Sequence, residues 1–231
     1  MAELLKYGVV TALGGAIVYA NLPTRWTLGN IVPTVQYLRD TELRRIEAGN
    51  KLNKPEKASN LFAQGPVLVI AFRRLGCLFC RVGAHDVTQL KPELDKAGVR
   101  LVGIVHQTIG VDEFLPYFKG ELYLDDEARF IFKIMLSAAR RFFGPNERWM
   151  PLWMGFLRPR TYVKLFQGWR RGIKAGELSA GEGRLLGGFF LINKDQMIYS
   201  HLEREWSDSP EPSELLEAIR KLNDGQRLHV D

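Results

Sequence analysis

Hydrophobic and polar positions fall into a few readable patterns along the 231-residue chain. Residues 66–72 (PVLVIAF) form an unbroken apolar run bounded by Gly65 and by Arg73 and Arg74. A short run of that kind predicts a strand buried on both faces. Over 77–97 the spacing changes: Val87, Leu90, Leu94 and Ala97 recur at three and four residues, which predicts a helix that Pro92 kinks or breaks. Gly98 ends it, and 99–105 (VRLVGIV) reads as the next strand. A short helix over 111–118 leads to a short strand over 121–124. Downstream, 188–192 and 197–201 read as a hairpin across the turn formers of 193–196. A closing helix over 213–222 puts Leu215, Leu216, Ile219 and Leu222 on one face, with Gly225 as its stop.

Strand, helix, strand, helix, strand, hairpin and closing helix is the element order of a thioredoxin-like α/β fold, a central mixed sheet flanked by helices. Its first two strands are expected to lie parallel, joined by a right-handed crossover. The expected layout is a hydrophobic N-terminal segment (1–25), a helical or polar linker (26–60), and the thioredoxin-like domain (61–225) with a helical basic and aromatic insertion at 129–180. Between Lys6 and Arg25 lie 18 residues without a charge. As a helix they span about 27 Å, just short of a hydrocarbon core. Gly8, Gly14 and Gly15 weaken them as a spanning segment. A membrane anchor or interfacial helix, a helix packed on the domain, and a cleaved signal all stay open.

The chain is 46% hydrophobic and 25% charged, which fits a globular protein and excludes wholesale disorder. Two cysteines exclude a disulfide-rich scaffold. The net charge of +6 says little by itself, but its distribution is uneven. Residues 129–174 hold eleven basic side chains against the single acid Glu147, together with ten of the 25 aromatics. One reading packs these aromatics on the sheet and leaves the arginines solvated. The other makes a membrane interface of Trp149, Trp153, Phe156 and Trp169 with Arg158, Arg160, Lys164, Arg170 and Arg171. No recognition motif accompanies the charge, so nucleic acid is not expected as a partner.

Both cysteines fall in one motif, Cys77 and Cys80, where the buried strand ends and the helix begins. Unpaired N–H groups and the macrodipole at a helix start favour thiolate over thiol. Cys80 lies one turn deeper on the same face, close enough to form a disulfide with Cys77. Arg73, Arg74 and Arg81 add positive potential, and Gly76 is expected to let the chain turn tightly into the helix. Zinc needs two further ligands, and His85, His106, His201 and His229 offer no second pair at ligand spacing. They read as structural or surface residues, and neither a metal nor another cofactor is expected. A pair of inert buried cysteines is the bland alternative.

The segment of Phe72, Arg73, Arg74, Gly76, Cys77, Cys80 and Arg81 resembles the active-site region of the peroxiredoxin-like 2 family, thioredoxin-fold relatives of the alkyl hydroperoxide reductase and thiol-specific antioxidant group. The likeness continues through 116–126 (PYFKGELYLDD), Gly144 and Pro145, 154–156 (MGF), 181–183 (GEG), 186–188 (LGG) and 201–205 (HLERE). It covers roughly 35–222. The resemblance implies an antioxidant or redox-regulatory thiol oxidoreductase, in the cytoplasm, with Cys77 and Cys80 as its redox residues; a membrane-associated or secreted location is the alternative. The expected partners are a peroxide or disulfide substrate and an external thiol reductant of the thioredoxin or glutathione kind. A sister branch that makes prostamides and prostaglandin F suggests endoperoxide reduction as an alternative, and a non-catalytic adaptor is a third. Two departures stand out. Three residues before a peroxidatic cysteine, typical peroxiredoxins place Thr or Ser, where this chain has Arg74 (for Cys77) or Cys77 (for Cys80). Thioredoxins place a cis-proline where this chain has Leu186, Gly187 and Gly188. Residues around 131–142 read as an insertion without counterpart in the family.

Overall fold

The computed structural model describes residues 2–125, 140–179 and 181–227. Most of the insertion expected around 131–142 lies outside these, as do His229 and the alanine at 180. In chain order the elements are α1 (Ala2–Ala20), α2 (Thr24–Thr27), α3 (Val35–Leu38), β1 (Glu42–Glu47), β2 (Lys51–Leu52), β3 (Glu56–Lys57), α4 (Ala58–Ala63), β4 (Val67–Ala71), α5 (Leu78–Thr88), α6 (Lys91–Lys96), β5 (Arg100–Val105), α7 (Val111–Phe114), β6 (Glu121–Asp125), α8 (Leu152–Phe156), α9 (Pro159–Arg170), β7 (Gly188–Asn193), β8 (Gln196–Leu202) and α10 (Pro212–Arg227). The sheet order is β2-β1-β6-β5-β4-β7-β8, with β3 also on β1. Strands β4, β5 and β6 run parallel, while β1, β7 and β8 run antiparallel to their neighbours. This is the expected thioredoxin-like arrangement.

The continuous apolar run of β4 follows from cover on both faces. Leu68 and Ile70 enter a core with Ala84 and Val87 of α5, Phe114 of α7 and Leu215 and Ile219 of α10. Val67, Val69 and Ala71 point the other way, into a core with Leu38 of α3, Leu61 and Phe62 of α4, and Phe142 and Phe143. No side chain of β4 is left for solvent, so a polar residue has no place in it.

Three expectations change. The stretch read as a linker carries β1, β2 and β3, which extend the sheet past β6. Its charged residues masked the strand pattern: Leu43 is fully buried and Ile46 packs on the core, while charged neighbours take the exposed positions of an outer strand. The helix breaks as expected, but just ahead of Pro92: α5 ends at Thr88, whose carbonyl Pro92 has no N–H to meet, and Pro92 stands in the first turn of α6, where its missing N–H costs nothing. Gly225 does not stop α10, which runs on to Arg227. One glycine costs about 1 kcal/mol in a helix, too little to end one by itself.

The basic block divides. Phe142 and Phe143 pack under the sheet, and Arg148 and Arg158 are buried and hydrogen-bonded, contrary to the expectation of solvated arginines. Phe156, Phe166 and Trp169 stay exposed. At the N-terminus, Arg158 donates to the carbonyls of Ala20 (2.8 Å) and Leu22 (3.3 Å), which ties the C-terminal end of α1 to the body. No helix among the described residues is long and apolar enough to cross a membrane.

Candidate active site

Cys77 is the N-cap of α5, in extended conformation, with its carbonyl accepting from the Arg81 N–H at 3.0 Å. The backbone leaves β4, passes Arg73 and Arg74, and turns into the helix at this residue. Cys77 is partly exposed and Cys80 is buried on the core side of α5; both are free thiols. The two groups interact directly, and this separates them chemically. The Cys80 thiol donates toward the Cys77 sulfur, the largest influence on Cys77. Burial opposes ionisation, but the charge of Arg73 and the backbone N–H groups of Cys80 and Phe79 add to the lowering. The result is a Cys77 thiol lowered to about 5. Burial, and then the hydrogen bond to Cys77, push the Cys80 thiol well up. At neutral pH the pair therefore holds one thiolate and one thiol.

Arg73 is the cation that acts on both sulfurs. It is 1% exposed, and Nη1 donates to Glu203 Oε2 at 2.9 Å. Nε and Nη2 are buried and reach no oxygen acceptor, and the guanidinium hydrogen-bonds toward the Cys77 sulfur. The same Glu203 oxygen accepts from the Gly187 N–H at 2.7 Å. Arg148 closes the network by donating to the carbonyls of Glu203 (2.6 Å) and Gly187 (2.7 Å). Glu203 is itself enclosed, so burial raises its pKa while Arg73 pulls against that. Gly187 has no alternative residue here: a Cβ would stand 2.1 Å from the Ala71 carbonyl oxygen. This glycine occupies the stretch where a thioredoxin carries its cis-proline, and no cis peptide bond occurs among the described residues.

The other flanking residues do different work from that expected. Arg81 is turned away from the sulfurs: Nε donates to the Leu75 carbonyl (3.0 Å), Nη1 to the Lys174 carbonyl (2.9 Å) and Nη2 to Glu113 (2.8 Å). It fastens the loop that follows α9 across the start of α5, and lends the dithiol no charge of consequence. Arg74 spends Nε and Nη2 on the Gly181 carbonyl, at 3.2 and 2.7 Å, and holds the glycine-rich 181–183 segment over the strand end. Gly76 is needed for a reason other than a tight turn, since its φ is not left-handed. The Gly176 N–H donates to its carbonyl at 2.8 Å, and a Cβ on Gly76 would fall 1.7 Å from the Glu177 carbonyl oxygen.

Sequence reasoning placed Cys77 and Cys80 together but missed Glu203, Arg148 and Gly187. The only signal was that Glu203 and Gly187 fall within the 201–205 and 186–188 stretches shared with the family. His201 pairs with Asp208 at 3.1 Å and His85 lies along α5. His106 is packed edge-on against Phe143, and burial first, then Arg140 and Arg74, lower its pKa to about 4. No group of three or more His, Cys, Asp or Glu side chains that could hold a metal occurs among the described residues.

Fold and site together define a thioredoxin-fold protein with two thiols at the start of the first long helix after a central strand. The chain matches the AhpC/TSA antioxidant enzyme family over residues 86–205. It is 35% identical over 192 residues to mouse peroxiredoxin-like 2A, covering 81% of this chain and 80% of that protein. The zebrafish peroxiredoxin-like 2A is 31% identical, with 94% of this chain and 96% of that one covered. Among solved structures, the Xanthomonas campestris bacterioferritin comigratory protein aligns with a TM-score of 0.49 at 14% identity, over 83% of this chain and 96% of that one. So low a likeness carries no weight for the site. The chain belongs to the peroxiredoxin-like 2A proteins of the AhpC/TSA antioxidant group. The antioxidant family match begins after Cys80, so the argument for the dithiol rests on its geometry.

Proposed function

We propose that this antioxidant-family protein reduces peroxides through its dithiol, with Cys77 as nucleophile and Cys80 as resolving thiol. The observation that carries the reading is the placement of the sulfurs: Cys77 is partly exposed at the helix start, where its surroundings favour the thiolate, and Cys80 is buried, where they favour the thiol. The Cys77 thiolate attacks the nearer peroxide oxygen, the O–O bond breaks, and the departing alkoxide takes a proton to leave as an alcohol or water. Cys77 is then a sulfenic acid. Cys80 loses its proton and attacks that sulfur, expelling water and leaving the Cys77–Cys80 disulfide. A thiol reductant of the thioredoxin or glutathione class returns two electrons and two protons.

Arg73 fits this chemistry where the usual threonine or serine is missing. Its charge and its hydrogen bond to the Cys77 sulfur steady the thiolate, and its Nε–H and Nη2–H, which reach no oxygen acceptor, are donors for a peroxide oxygen bound there. Glu203 holds the guanidinium through its remaining nitrogen, Nη1. The test is single-turnover reaction with cumene hydroperoxide followed by a sulfenic-acid trap. Cys80→Ser should consume one equivalent and accumulate the trapped sulfenic acid on Cys77, whereas Cys77→Ser should react at least about 10³-fold more slowly. Equal rates for the two variants would contradict the assignment.

A further inference from the structure

We propose that the face built by α1, α8 and α9 is a docking surface for an anionic lipid bilayer, on which the protein lies without spanning it. The first observation is uncovered apolar area. Among the described residues, seven large apolar side chains of α1 and nine between 152 and 169 are exposed, Trp169 at 73% and Val10 at 67%. A helix that is apolar on all sides is ordinarily buried. Yet among the described residues α1 is fastened to the body near its C-terminal end, through the Tyr19–Trp153 stack, Ala20 in a small core, and the arginine at 158.

The second observation is that these helices form one surface. Trp153 and Phe156 are carried by α8, which packs on both α1 and α9, and the Tyr162 hydroxyl donates to the Phe156 carbonyl at 2.8 Å. On α9, Gly168 is pressed against Leu78 and Val82 of α5, and a Cβ there would be 2.9 Å from Val82. Lys164 and Arg171 turn to one side to meet Asp86. Phe166 and Trp169 are left on the outward side, with Arg170 exposed beside them.

The third observation chooses the occupant. No carboxylate occurs in residues 4–39 or in 148–176, and the two stretches hold ten Lys and Arg side chains. Exposed Lys6, Arg25, Arg170 and Lys174 are among them. Tryptophan and tyrosine mixed with cations suit the headgroup region of an anionic leaflet. A second copy of the same face would bring like charges together, which disfavours a dimer as the cover. The surface also adjoins the dithiol: Phe79, between Cys77 and Cys80, stacks on Trp206 within the small core that carries Ala20 and Met154. The proposal does not depend on turnover, so it stands or falls separately from peroxide reduction.

The test is flotation of the full-length protein with phosphatidylcholine vesicles, with and without about 30% phosphatidylserine. Strong flotation with the anionic vesicles is expected, falling about tenfold with neutral ones or in high salt. Phe166→Glu combined with Trp169→Glu replaces two exposed side chains and should abolish it, with circular dichroism and Cys77 alkylation unchanged. Quenching of tryptophan fluorescence by brominated lipid should report insertion in the unmodified protein. The proposal is overturned by failure to float with either vesicle, by equal flotation with both, or by flotation of the double variant like the wild type. A concentration-dependent dimer lost in that variant, without vesicle binding, would assign the face to a second copy instead.

Discussion

The strand end before Cys77 and the helix turn after Cys80 each carry an arginine, and the two have opposite fates. Arg73 is sealed inside, held by Glu203, with its guanidinium against the sulfurs. Arg81 lies closer still in sequence, next to Cys80, but is used up on Leu75, Lys174 and Glu113. The difference teaches that nearness in sequence does not measure the field at a thiol. What matters is which guanidinium shares the sulfurs' enclosure, where solvent screens least. The first region is an electrostatic device; the second is a clamp.

That contrast can be broken most forcefully at Arg73. Arg73→Met removes a charge from the thiolate and leaves Glu203 buried without its cation, so the variant should lose about 3–5 kcal/mol of stability in urea unfolding. Pairing it with Glu203→Gln should restore much of the stability while Cys77 alkylation at pH 6 stays about tenfold slower than wild type. Recovery of both together would mean that Arg73 acts only as structure. Gly76→Ala should come next: its methyl meets backbone at Glu177, and displacing the clamp's loop is expected to cost about 1–3 kcal/mol, read as a lower melting temperature.

Cys80→Ala removes the largest stabiliser of the thiolate, and the Cys77 midpoint should climb by about 1–2 units. Cys80→Ser, which keeps a donor, should climb less. The smallest effect is predicted for the clamp itself. Arg81→Met should cost about 1–2 kcal/mol through lost hydrogen bonds, because its acidic partner Glu113 is half exposed, and should leave the Cys77 midpoint in place. A midpoint that moves as far as in Arg73→Met would erase the distinction between the two regions.

Much of this was legible in the sequence wherever burial writes a pattern. The apolar run of β4, the spacing along α5 and α6 and the β7–β8 hairpin are each dictated by what they bury. The outer strands β1 to β3 were not: β2 and β3 are two residues each, and β1 sets Glu42, Arg44, Arg45 and Glu47 around two apolar side chains. The sulfurs were legible because only two cysteines exist and they stand at a strand-to-helix junction. The partners of those sulfurs were not. Nothing in the order of Arg73, Arg74 and Arg81 says which one turns inward, and Glu203 is separated from Arg73 by 130 residues, brought back by the pairing of β8 with β7 and of β7 with β4. Gly76 was marked as necessary, but the cause is a loop from beyond α9, which no local pattern announces.

The most direct test of the central claim is the rate of iodoacetamide alkylation at Cys77 in the reduced protein, followed from pH 4 to 10 by mass spectrometry of the labelled peptide. A thiol lowered in the folded protein is already ionised at neutral pH and loses its reactivity only as the pH falls through its midpoint. The account predicts that midpoint near pH 5, with Cys80 unlabelled until far higher pH. A single midpoint between about 8.5 and 9, the range of an ordinary cysteine, would contradict it.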